Sequence, residues 1–290
     1  MFPDRTAKAE EQICGVCEAI VRFGGELHLL SHFFNSLPAP LRLQIAPLCT
    51  LDEKLLPMDM VVSVGGDGTF LRTAGTVGDS AIPILGINTG RLGFLAAINY
   101  ADMEETLQEV MRGTYKIEER TLLKLSTDET FPPENFNVHA LNEVAILKQD
   151  TASMLSIHAY INNDYLTSYQ ADGLVISTPT GSTAYTLSIG GSILSPSTPS
   201  IILSAIAPHN LTSRSLVVDD SSIISLKVES RSHMFLVSVD GESRVLDESV
   251  NIQVRKDDYT LRVVKRIGHT FYETLRDKLM WGADVRKQNR

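Results

Sequence analysis

Between residues 7 and 23 apolar side chains return every third or fourth position, at Ile13, Val16, Ile20 and Phe23. That spacing predicts a helix with one buried stripe. Gly24-Gly25 ends it. The run 27–34 predicts a strand, and a stretch punctuated by Pro38, Pro40 and Pro47 follows. Residues 60–64, Met-Val-Val-Ser-Val, are short, apolar and β-branched. They predict a strand of a parallel sheet, buried on both faces. A helix is expected over 70–77. A strand is expected over 82–87, where Pro83 marks its start or an edge. Asp102-Met103-Glu104-Glu105 reads as a capping box before a helix with Leu107, Val110 and Met111 on one face.

The period changes to two after about residue 116. Phe235-Val237-Val239, Val250-Ile252-Val254 and Tyr259-Leu261-Val263 each alternate with polar neighbours. Asn162-Asn163-Asp164 separates two strand-like runs as a hairpin turn would. Residues 125–137, with Pro132-Pro133, read as a surface loop. Phe271, Leu275 and Leu279 return to helical spacing. The expected fold is an α/β N-terminal domain with a parallel sheet (1–115) and an all-β, antiparallel, sandwich-like C-terminal domain (116–264). The last segment, 265–290, is expected to return to the first domain.

Composition narrows the function. The chain has 290 residues, 43% of them apolar, and a formal net charge of −9. An acidic chain repels nucleic acid and anionic lipid, so an anion site must be built from local donors. No apolar run reaches the ~18 residues of a membrane span. The first residues lack the apolar core of a secretion signal, and three cysteines argue against a disulfide framework. A soluble, cytoplasmic protein is expected.

Val64-Gly65-Gly66-Asp67-Gly68-Thr69 joins a buried strand to a helix, the junction where parallel α/β sheets bind ligands. Backbone amides of Gly66, Gly68 and Thr69, with a helix N-terminus behind, suit phosphate without any net positive charge. Arg72 is placed for a phosphate contact. Asp67 is the unusual member, because a carboxylate among phosphates is repelled by them. It can serve as a general base, help hold a divalent ion, or cap the helix and order the turn. Walker A is absent, and Leu71 stands where the dinucleotide fingerprint needs glycine. A second string, Asp172 to Tyr185, runs from an apolar strand into a turn dense in hydroxyls and on towards Ser188. Such a turn can read a base or ribose. Cys14-x-x-Cys17 lies inside a helix, and both cysteines are expected to be small core residues. The seven histidines show no metal-ligand spacing, so no metal-binding side chains are nominated. Trp281 is expected to anchor the last helix by packing.

Gly65-Gly66-Asp67-Gly68-Thr69 resembles a signature shared by NAD kinases, diacylglycerol-type lipid kinases and, more loosely, phosphofructokinases. Asn88-Thr89-Gly90-Arg91-Leu92-Gly93-Phe94-Leu95, Asn142-Glu143 and Thr178 to Tyr185 extend the resemblance to NAD kinases in particular, from about residue 59 to 264. The resemblance implies transfer of the γ-phosphoryl of ATP to the 2′-hydroxyl of the adenosine ribose of NAD. It implies a divalent ion, Mg²⁺ or Mn²⁺, supplied with ATP, and a homodimer or homotetramer with neither nucleic acid nor membrane as partner. Asp67 matches the family's proposed base. Asn142 and Glu143 match residues that hold the adenosine ribose. Asp172, Thr183, Ala184, Tyr185 and Ser188 match positions around the dinucleotide, and Asp240-Gly241 matches a late turn near the pocket. Ser153 is a candidate for the nicotinamide side, and Ala207 falls where a neighbouring subunit contributes. A lipid kinase would be expected to lack Asn142-Glu143 and the threonine-rich turn, and a nucleotide sensor gains little from keeping Asp67. The chain departs from the family pattern in three places. No strand precedes the first predicted helix. Gln170 stands where many NAD-selective members carry arginine, which implies some use of NADH. Glu242 stands where glutamine is frequent.

Overall fold

The helical stripe at the start of the chain forms as its spacing predicts. The computed structural model describes residues 7–55, 57–90, 93–128, 136–150 and 153–281. Helix α1 (Ala7–Arg22) buries Val16, Cys17, Ala19 and Ile20. Strand β1 (Leu27–Leu30) is shorter than the apolar run, because Ser31 opens a short helix, α2 (Ser31–Asn35). The proline-rich stretch holds a helix that periodicity did not reveal, α3 (Ala39–Ile45). Pro38 is its N-cap and Pro40 lies in its first turn, where a missing N–H breaks no helical bond. Leu41 and Ile45 then pack with Cys17. Strand β2 (Cys49–Asp52) pairs parallel with β1.

The glycine-rich junction lies between β3 (Val61–Gly65) and α4 (Asp67–Val77). Strand β3 pairs parallel with β4 (Ile84–Asn88), which pairs parallel with β5 (Ile98–Asn99). All five residues of β4 are buried, whereas β3 is half-buried apart from Ser63. The expectation that residues 60–64 are covered on both faces fails, because β3 ends the strand order. Helix α5 (Met103–Met111) follows, but Asp102 makes no side-chain cap, so the capping box is absent. Thr106 donates instead to the Asp102 carbonyl at 2.7 Å.

The chain divides into two units, one formed by residues up to 118 and from 262 onward, the other by residues 119–261. The second unit begins within β6 (Tyr115–Thr127) and continues through β7 (His139–Ala140), β8 (Glu143–Lys148), β9 (Leu155–Ile161), β10 (Asp164–Ala171) and β11 (Gly173–Ser177). After the one-turn helix α6 (Tyr185–Ser188) come β12 (Ser200–Ile206), β13 (Leu216–Asp219), β14 (Ile224–Ser230), β15 (Met234–Val239), β16 (Glu242–Asp247) and β17 (Ile252–Arg266). One antiparallel layer runs β10-β9-β14-β17 and the other β13-β12-β11-β8-β15-β16. Inward residues of both layers, among them Ile157, Leu226, Val254, Ile146, Ile176 and Val237, share one core. This is the sandwich that the period-two pattern predicts. Asn162 and Asn163 have φ of 51° and 72° and form the two-residue hairpin turn. The loop expected over 125–137 is corrected at both ends. Leu125 is a buried residue of β6 and Phe136 is buried, while residues 129–135 lie outside those described.

The end of β17 returns to the first unit, where Val263 pairs parallel with Ile84. Arg266 there clips α5 through Glu109, at 2.7 and 2.8 Å, and Glu105, at 2.9 Å. Helix α7 (Phe271–Leu279) opens on a reciprocal capping box between Thr270 and Glu273. Trp281 lies beyond the helix and is 58% exposed, so it does not anchor it. Leu275 is the buried residue of that helix face.

Candidate active site

In the first unit, a Cβ on Gly66 or Gly68 would meet nothing within 4 Å, so the outer side of the glycine loop is open. Gly66 is the N-cap of α4, and Asp67 is its first residue and does not cap it. The Asp67 carboxylate instead crosses to a segment 27–29 residues further on. Oδ2 accepts from the Phe94 amide at 2.8 Å, and Oδ1 accepts from Leu95 and Ala96 at 3.1 Å each. An ionised carboxylate has about four lone-pair directions, so one remains, on Oδ2. Of the local readings of Asp67, turn ordering is realised, though the turn is distant in sequence.

Gly93 makes this approach possible, since its Cβ would fall 2.7 Å from Asp67 Oδ1 and 2.7 Å from Asn88 Nδ2. Buried Asn88 accepts from the Gly90 amide at 2.7 Å, and its Nδ2 has no hydrogen-bond partner among the described residues. Asn88 belongs to a recognised motif, yet its residue type alone gave no reason to nominate it. The signal is an amide side chain at the buried C-terminal end of a parallel strand. Arg91 and Leu92 of that motif lie outside the described residues. Thr69 Oγ1 accepts from Arg72 at 3.3 Å, and Arg72 is exposed.

In the second unit, Asp240 and Gly241 form the β15–β16 turn with φ of 48° and 89°. The Asp240 carboxylate collects the amides of Leu141 at 2.7 Å, Asn142 at 2.9 Å and Glu143 at 3.0 Å. The Asp240 amide donates back to the Glu143 carbonyl at 3.1 Å. From the other side, Thr178 donates its hydroxyl to the Leu141 carbonyl at 2.6 Å and its amide to the Asn142 carbonyl at 2.9 Å. Gly181 lies so close that a Cβ would collide with the Asn142 carbonyl. Buried Arg120, which sequence reading passed over, donates to Thr180 Oγ1 at 3.1 Å. Asn142, Glu143, Thr183, Ala184, Tyr185, Ser188 and Asp240 are thus gathered around one knot of backbone. The Tyr185 amide donates to the Glu143 carboxylate, and Ser188 donates to the Tyr185 carbonyl at 2.7 Å.

Glu143 is held away from its ordinary ionisation. Removal from water, reinforced by the Asp240 charge and only partly opposed by the Tyr185 amide, pushes its pKa up to about 8. Its Oε2 is buried without a hydrogen-bond partner among the described residues. Asp240 is also raised by removal from water, against the pull of its three amides.

A further group lies at one end of β10, β11 and β12. Lys148 pairs with Asp172 at 2.7 Å, and the Asp172 amide donates to the Ile206 carbonyl at 2.9 Å. Gln170 donates to Ser156 Oγ at 2.8 Å, and its carbonyl accepts from His209 at 2.8 Å. Exposed Ala207, with φ of 43°, lies between those two backbone contacts. Ser153 is buried two residues before β9. Glu242 pairs with Arg244 at 2.8 Å on β16, which accounts locally for its charge. No group of three or more His, Cys, Asp or Glu among the described residues is arranged to hold a metal. No described helix is long and apolar enough to cross a membrane.

Comparison with known proteins gives one result throughout. The family model for the ATP-NAD kinase N-terminal domain matches residues 49–115, and that for the ATP-NAD kinase C-terminal domain matches residues 141–266. A protein of Bacteroides fragilis named NAD kinase is 47% identical over 280 residues, covering 97% of this chain and 96% of its own. One from Porphyromonas gingivalis with the same name is 44% identical, covering 91% and 90%. Among solved structures, a yeast NADH kinase complexed with NADH superposes with a TM-score of 0.82 at 25% identity, covering 98% of this chain and 86% of its own. An NAD kinase from Archaeoglobus fulgidus in complex with ATP gives 0.73 at 26% identity, covering 93% and 94%.

Proposed function

The chain belongs to the NAD kinase family, and from that premise we propose how its residues divide the reaction. The enzyme phosphorylates NAD with ATP. The second unit takes the dinucleotide through Asn142, Glu143, Asp172 and the turn from Thr183 to Ser188, with Ser153 near the nicotinamide end and Ala207 where a neighbouring subunit contributes. The first unit takes the phosphates of ATP through the amides of Gly66, Gly68 and Thr69, with Arg72 as an added positive charge. A divalent ion, Mg²⁺ or Mn²⁺, enters with ATP as part of the substrate and neutralises phosphate charge.

Asp67 accepts the proton of the ribose 2′-hydroxyl. The bond from that oxygen to the γ-phosphorus forms as the bond from the γ-phosphorus to the bridging oxygen breaks, and ADP leaves. Three amides hold the carboxylate in one orientation and leave one lone pair of Oδ2 open. That arrangement supports the role, because a base must be both fixed and accessible. Gln170 brings no charge beside Asp172, and we extend the reading to some phosphorylation of NADH. A cytoplasmic homodimer or homotetramer completes it.

The observation that carries this reading is the open glycine loop with a fixed Asp67, in a chain related over nearly its whole length to NAD kinases. A coupled assay of NADP formation, with NAD or NADH against ATP or polyphosphate, tests it. ATP-dependent NADP formation is expected, with a slower NADH reaction. Absence of any NADP from NAD and ATP overturns the activity. An NADH rate of zero beside robust NAD phosphorylation overturns only the second substrate.

A further inference from the structure

The Asp240 turn is tied to Glu143 more closely than a ligand contact would require. Its carboxylate spends three hydrogen bonds on the backbone of 141–143, one of them on the Glu143 amide itself. Its own amide returns a bond to the Glu143 carbonyl. The Glu143 side chain then ends in a buried oxygen that no donor among the described residues satisfies. A buried anionic oxygen without a donor is strongly disfavoured, whereas a neutral carboxyl costs far less. We infer that Asp240 is a positioning residue that acts through Glu143, fixing the 141–143 turn and keeping the Glu143 carboxyl protonated and held inward while the dinucleotide binds.

The groups facing Glu143 can be enumerated. Asp240 approaches from the β15–β16 turn, Ser177 is its register partner on β11, and α6 offers the Tyr185 amide. Asp240 is the one charge among the described residues that acts on it. In an unfolded chain a glutamate ionises near ~4.3, whereas here the proton is held to about 8. The folded state therefore binds more protons than the unfolded one across that window, and stability falls as pH rises through it. The same ionisation sets a buried charge beside Asp240 and loosens the turn that carries Asn142.

This inference rests on the proposed NAD kinase reading, but one of its tests does not need activity. Thermal melts of ligand-free wild type and Glu143→Gln, followed from acid to alkaline pH, should diverge. Wild type loses stability relative to the variant as pH approaches about 8. Parallel curves would overturn the inference whatever the enzyme does. In the NADP assay, the KM for NAD of wild type should rise above about pH 8, with a limit of about tenfold per pH unit if only the protonated form binds. In Glu143→Gln the KM should not change with pH, whatever its value. In Asp240→Asn the rise should begin at lower pH, because a charge that disfavours ionisation is gone while burial remains. A rise that survives in Glu143→Gln, or an unmoved midpoint in Asp240→Asn, refutes the assignment. If Asp240→Asn does not fold, the Glu143→Gln melts and KM profile decide alone. A wild type that makes no NADP but shows the diverging melts would sink the kinase reading and leave the Asp240–Glu143 link standing.

Discussion

Each unit contains an aspartate that gathers three consecutive backbone amides, and the two clasps serve different ends. In the first, Asp67 holds Phe94, Leu95 and Ala96, and the clasping carboxylate is itself the proposed reacting group. In the second, Asp240 holds Leu141, Asn142 and Glu143, and the side chains carried by the clasped segment are the proposed working groups. The surroundings differ accordingly. The glycine loop beside Asp67 is open on its outer side, whereas Gly181 is pressed against the Asn142 carbonyl. Open space suits a ligand that brings its own charge and ions. Close packing suits a neutral recognition surface, whose shape must already exist when the ligand arrives. The same hydrogen-bond motif is thus no guide to role until its surroundings are known.

The largest expected effect would break the comparison outright. Asp67→Asn should lower NADP formation by about 10²–10⁴-fold, the usual weight of one general base. An asparagine can still accept two of the amides, so the melting temperature should fall only modestly. A variant that binds NAD normally and keeps more than about a tenth of the rate would make Asp67 a clasp and nothing more.

Paired glycine substitutions sharpen the contrast between open and packed. Gly181→Ala should destabilise the protein by about 1–3 kcal/mol, as overpacking does, and denaturant midpoints will register it. Gly68→Ala should melt no lower than wild type, since alanine favours a helix by roughly 1 kcal/mol, yet its KM for ATP should rise. Equal melting of the two variants would erase the distinction.

A smaller effect concerns only the first unit. Thr270→Ala removes the capping box of α7 and should cost about 0.5–2 kcal/mol, read by chemical denaturation, with the KM for NAD unchanged. A changed KM would mean that the C-terminal helix reaches the dinucleotide. The smallest concerns preference. Gln170→Arg should lower the ratio of NADH to NAD turnover by a few-fold, the scale of about 1 kcal/mol for one exposed charge. An unchanged ratio would remove Gln170 from the account of specificity.

Much of this was legible in residue order. Period-two alternation at Phe235, Val237 and Val239 gives a strand because successive side chains face opposite sides, and all three are buried. The Asn162-Asn163 turn follows from the positive φ that asparagine tolerates. The glycine loop between a strand and a helix was legible too, and its outer side is open. The failures share another cause. Helix α3 was hidden because proline reads as a breaker unless its place in the first turn is known. Strand β3 was expected to be buried on both faces, yet its position at the end of the strand order decides its exposure.

The amino-acid order alone therefore carried most of the elements, the family and the proposal that the glycine loop meets phosphate, since each rests on neighbours a few positions away. It could not reveal that Asp67 would close on amides 27–29 residues distant, or that Asp240 would close on amides 97–99 residues distant. Nor could it show that Glu143 would keep its proton. Those outcomes depend on which donors, charges and waterless surfaces the folded chain brings within about 3 Å of a carboxylate, and only the tertiary structure decides that.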